Sequence, residues 1–152
     1  MTANTGRTTQ NWNEFHIDDA AGTLTEIAVN NVGGVGLDYP EADQTAWNDA
    51  IHGVLLETPS FTTTIGGPFD TATHTVLSGV NGKNTPLAFD FRFGIRHAWE
   101  SGEPQFGITG TADNGGLIRN YTVNPGSPMT WTATLVMYAG SAAPEWGTAA
   151  ES

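Results

Sequence analysis

The sequence predicts a mainly β protein: a single-domain antiparallel β-sandwich or squat barrel carrying one short α-helix, at about residues 71–80. Three observations carry that prediction. Charged residues make up only 14% of the 152, whereas 22 are Thr, a residue that favours strands and turns. Leu87, Phe89, Phe91 and Phe93 alternate with Ala88, Asp90, Arg92 and Gly94, the cleanest period of two in the chain. The length suits one core, and no internal repeat or linker divides it.

Met1 to about residue 11 is polar and Thr-rich, and reads as a flexible arm without the apolar stretch of a signal peptide. The domain is placed at 12–147, with 148–152 as a flexible end. Trp12–Ile17 alternates well enough for a strand, and Asp18-Asp19-Ala20-Ala21-Gly22 is a turn. Leu24, Ile27, Val29 and Val32 suggest a second strand over Thr23–Val32. Gly33-Gly34-Val35-Gly36 permits a sharp bend; with no Lys and no following helix it is not a phosphate loop.

From Leu37 to Glu57 the periodicity loosens and acids gather, which reads as an interaction loop or extended hairpin. Ser60–Ile65 alternates again and closes on Gly66-Gly67-Pro68. Asp70 or Thr71 can cap a helix in which Ala72, Val76, Leu77 and Val80 recur at near-helical spacing, ended by Gly79 and Asn81-Gly82. At two to three turns it must lean on a sheet. Beyond the Leu87–Gly94 strand, Gln105–Gly110 and Leu117–Val123 flank Asp113-Asn114-Gly115-Gly116, a strong hairpin-turn signal. Met129–Tyr138 places Met129, Trp131, Ala133, Leu135 and Met137 on one face, with Trp131 expected in the core. Six to eight strands result.

The chain carries 16 acids against 5 basic residues, a net charge of −11, which opposes binding to phosphates. The charge is uneven: residues 1–70 hold ten acids and Arg7 alone (net −9), and residues 71–152 hold six acids against Lys83, Arg92, Arg96 and Arg119 (net −2). With no Cys there is no disulfide, thiolate site or cysteine nucleophile. No apolar run is long enough to cross a membrane.

No catalytic constellation is found. Asp18-Asp19 and Glu41/Asp43 could supply acid and base in principle, but adjacent turn residues point apart and read as solvated acids. His16, His52, His74 and His97 lack His-x-His or His-x3-His spacing, and Asp38–Asp49 lacks the order of a calcium loop, so no metal or cofactor is expected. No Ser lies in G-x-S-x-G. Asn120-Tyr121-Thr122 matches a glycosylation acceptor by chance. Tyr39, Glu41, Asp43, Trp47, Asp49 and His52, all within the Leu37–Glu57 interaction loop, are the candidate contact residues. Trp47 is either interfacial or tucked into its own loop.

Taken together these stretches resemble the tail tube proteins of long-tailed bacteriophages. Leu24–Val32 is similar to that family's early strand, and Gly36–Thr45 to the loop after it. Ile51–Glu57 stands where the family has an I-P-G-L turn, with His52-Gly53 in place of Pro-Gly. Ser60–Ile65 with Gly67-Pro68-Phe69-Asp70 resembles its strand into the single helix, Met129–Leu135 its last long strand, and Pro144-Glu145-Trp146-Gly147 its ending. Trp47-Asn48-Asp49 departs from a more usual Phe-Gly-Asp. The resemblance implies a virion protein, assembled in the host cytoplasm. Its copies would form hexameric rings stacked into a tube through which genome DNA passes without specific binding, in contact with other virion proteins. Two other readings stand beside it. One is a capsid decoration or cement protein of the same fold on the phage head. The other is a carbohydrate-binding β-sandwich, which would use exposed Trp rings.

Overall fold

The computed structural model describes residues 13–94, 103–108 and 113–149. The expected N-terminal arm, residues 1–11, lies outside them. In chain order the first strands are β1 (Glu14–Asp18), β2 (Leu24–Ile27), β3 (Asn31–Val32), β4 (Glu41–Asp43), β5 (Val54–Leu56) and β6 (Thr62–Pro68). Helix α1 (Thr71–Val80) follows, then β7 (Phe89–Arg92), β8 (Glu103–Ile108), β9 (Gly116–Asn124), β10 (Thr130–Met137) and β11 (Glu145–Ala149). A five-stranded sheet has the order β11-β8-β7-β1-β2, and a four-stranded sheet the order β3-β6-β10-β9. All strand pairs are antiparallel. The two sheets pack as a sandwich and do not close into a barrel.

The alternation read from the sequence places the core. Phe15, Ile17, Ile27, Phe89, Phe91 and Phe106 line one sheet, and Ile65, Ile118, Trp131, Ala133 and Leu135 the other, with Leu77, Val80, Phe61 and Leu87 completing it. Phe61 stacks on Phe89 at 5.8 Å and meets Phe106 edge-on at 5.1 Å, filling the gap between layers. Trp131 is fully buried, as expected, while Met129 on the same face is exposed.

Helix α1 runs over the residues expected of it. The Asp70 carboxylate caps it by accepting from Ala72 N, and also accepts from the Thr73 hydroxyl at 3.2 Å. Its buried side chains are Thr73, Leu77 and Val80; Ala72 faces solvent. The helix leans on β9, where His74 Nδ1 meets the Tyr121 hydroxyl at 2.9 Å. Strand β9 bulges there: the register against β10 shifts between Thr132 and Thr134, and Asn120 takes φ 58°, a left-handed conformation that Asn tolerates. Tyr121 N thereby leaves the ladder and donates to Asn81 Oδ1.

Three expectations are corrected. Eleven strands occur among the described residues, not six to eight: the expected Thr23–Val32 strand divides in two, the Leu37–Glu57 stretch supplies β4 and β5, and the C-terminal end supplies β11. The first part of the divided strand pairs with β1 and the second with β6, so the chain crosses from one sheet to the other around Ala28–Asn30. The expected hairpin across Asp113–Gly116 does not form: β8 pairs with β7 and β11, and β9 pairs with β10 in the other sheet. The glycine pair serves a different purpose. Gly116 exchanges both backbone hydrogen bonds with Leu87 at 2.9 Å. Gly115, at φ 148°, lies so close that an added Cβ would stand 2.6 Å from Leu87 O. Finally, β11 continues to Ala149, past the boundary drawn at 147.

Candidate functional site

The acidic stretch between Leu37 and Glu57 forms an extended hairpin. It is an excursion of the β3–β6 ribbon: Val32 pairs with Ile65, Gly33 N donates to Thr64 O, Asp38 bridges Ser60, and Glu41 pairs with Leu56. The β4–β5 pair joins neither large sheet, so the outer edge of each of its strands is unpaired by any named strand.

This arm gathers all six interface candidates. Tyr39 stands exposed at its base, Glu41 and Asp43 on β4, and Trp47, Asp49 and His52 at its tip. Trp47 has a relative exposure of 107%, which removes the loop-tucked reading. The tip is held by short local bonds. Asp43 Oδ1 accepts from Thr45 N at 2.9 Å, Asp49 Oδ2 accepts from Ala46 N at 2.8 Å, and Gly53 N donates to Thr45 Oγ1 at 2.9 Å. His52 Nδ1 lies 3.4 Å from the same hydroxyl. The side-chain and backbone hydrogen bonds from Thr45 hold the Asp43 carboxyl below its ordinary range.

What the sequence reading missed is the apolar content of this arm. Ile51, Val54, Leu55 and Leu56 are all exposed, and with Trp47 they make five large hydrophobic side chains open to water within ten residues. No alternation announces them, because neither face of the ribbon is buried. Exposed apolar side chains in this number make the arm a candidate contact surface.

A second grouping lies on the outer face of the five-stranded sheet. Because Phe15 and Ile17 point inward, Glu14 and His16 point outward. The register sets Glu26 of β2 directly opposite His16, with Asp90 of β7 on its other side and Arg92 opposite Glu14. His16 Nε2 donates to Glu14 Oε1 at 2.9 Å. One donor atom from each of Glu14, His16 and Glu26 lies within 4.8 Å of the others. Sequence spacing could not reveal this set, since it forms across two strands.

The turn acids Asp18 and Asp19 act as structural acceptors. Asp18 takes Ala20 N and Gly22 N, and Asp19 takes Ala21 N and Thr23 N. Among the described residues no helix is long and apolar enough to cross a membrane. No family model matches the chain, and no curated protein matches it in sequence.

Proposed function

We propose that this chain is a non-catalytic structural subunit that assembles with copies of itself through the β4–β5 arm, as the ring-and-stack subunit of a phage tail tube. The observation that carries the proposal is the arm itself, a ribbon with open edges and five exposed hydrophobic side chains that its own sandwich does not cover. Burying such side chains against a neighbour yields about 1.5–3 kcal/mol each, enough for a ring contact once several are covered. The β-sandwich with one helix and the sequence resemblance point the same way. The net charge of −11 suits a conduit, because an acidic wall repels phosphates at short range and does not retain the genome. In this reading the protein resides in the virion tail, and DNA passes it without a specific contact.

The test replaces residues 40–57 by a short Gly-Ser turn, which keeps the Asp38–Ser60 bridge that closes the base. Negative-stain microscopy over a concentration series should show rings or hollow tubes of constant width for the intact chain, and only dispersed particles for the shortened one. Tubes from the shortened chain would overturn the proposal. An intact chain that stays dispersed but coats empty phage capsids would move the protein to the head.

A further inference from the structure

We propose that Glu14, His16 and Glu26 bind one divalent transition-metal ion of the zinc class on the outer face of the five-stranded sheet. The inference is independent of the arm and its partners. Its basis is geometric: two outward positions of β1 and the residue opposite His16 on β2 converge, with one ligand atom from each inside 4.8 Å of the others. Ligands bound to a common zinc ion at roughly 2.0–2.2 Å stand about 3–4 Å apart, so small side-chain rotations suffice.

A second observation supports a cation in this place. Asp90 is the cross-strand neighbour of His16 on the same face of the sheet, and is only 3% exposed. Its Oδ2 accepts from Arg92, but its Oδ1 has no hydrogen-bond partner. A buried carboxylate oxygen without a donor is costly, and a metal ion on the adjacent strand positions offsets that cost through its charge.

The donor set indicates the type of ion. Imidazole nitrogen with two carboxylate oxygens suits zinc and its neighbours, whereas magnesium and calcium prefer all-oxygen sites. On binding, His16 gives up its hydrogen bond to Glu14 and ligates through Nε2 as the neutral imidazole, with its one ring proton on Nδ1. Water completes the coordination on the exposed Glu26 side. The bound ion joins edge strand β2 to β1.

The experiment titrates the full chain with zinc chloride by calorimetry and with cobalt chloride by visible absorption. One ion per chain is expected, with a thermal midpoint that rises with metal concentration. Glu26→Gln alters an exposed edge position and leaves the fold intact, and His16→Gln removes the nitrogen ligand. Each should weaken zinc binding on the order of tenfold to a hundredfold. Glu26→Gln alone decides the matter if His16→Gln does not fold. The proposal is overturned by absence of saturable binding, by magnesium binding as tightly as zinc, or by a Glu26→Gln chain that titrates like the unaltered one.

Discussion

The Arg92 guanidinium Nε donates to Asp90 Oδ2 at 2.6 Å, two residues along the same strand, with Asp90 buried and Arg92 half-buried. An ion pair so placed is sustained by both members. Removing Arg92 strands a buried carboxylate, which costs on the order of 3 kcal/mol. Arg92→Ala should therefore lower stability in urea far more than an ordinary surface change, and adding Asp90→Asn to it should recover part of the loss. Equal stabilities for the single and double variants would refute this account.

Thr73 joins the helix to the crossing between sheets. Its hydroxyl donates to Asp70 and accepts from Ala28 N at 3.1 Å. Thr73→Val keeps the shape but leaves a part-buried amide without its partner, at a cost of about 1–3 kcal/mol. Asp70→Ala, which loses the cap, should cost about 1 kcal/mol. Because both changes act on one network, their effects should not add, and a double-mutant cycle measures the shortfall.

On the arm, stability and assembly separate. Trp47→Ala and Leu55→Ser alter exposed side chains, so thermal midpoints should hold within the equivalent of about 0.5 kcal/mol. The concentration at which rings appear in sedimentation should nevertheless rise about tenfold or more for each change, following the apolar area withdrawn from the contact. Added salt should promote assembly by screening the −11 charge of each subunit. Assembly that weakens as salt rises would indicate charge pairing in place of apolar docking.

The Asp43 carboxyl offers a pH readout of the arm's tip. Its hydrogen bonds from Thr45 favour the charged form, so in the folded state it should titrate below the ordinary aspartate value of 3.8. The sign follows from that depression. The support it gives the turn is complete above the unfolded value and is lost as pH falls through the lower, folded one. Carbon-detected NMR of the carboxyl gives the midpoint, and Thr45→Ala should return it towards 3.8.

The parts legible in the sequence are those whose two sides differ. Leu77 and Val80 of the helix, Phe89 and Phe91 of β7, and Trp131 and Leu135 of β10 face the core at their expected spacing. The arm was legible as an acidic, aromatic-bearing excursion but not as a hydrophobic surface, because Val54, Leu55 and Leu56 form a run with no buried side to mark. The turn at Asp113–Gly116 misled for a related reason. Local φ preference states that the chain can bend there, whereas the choice of sheet depends on which distant strand accepts Ile118 and Leu135. Glu14, His16 and Glu26 meet only through the β1–β2 register, a relation that no single-strand spacing contains.

The ladder that begins at the arm does not stop at its base. From Glu41–Leu56 it passes through Asp38–Ser60 to Val32–Ile65, and β6 lies directly against β10, which carries Trp131. The arm is thus a lever whose short end is bolted into the core. A neighbour that tilts it applies torque to an interior strand, and the sandwich resists as one stiff body. Docking at the tip should accordingly slow amide hydrogen exchange along β6 as well as in the ribbon that touches the neighbour.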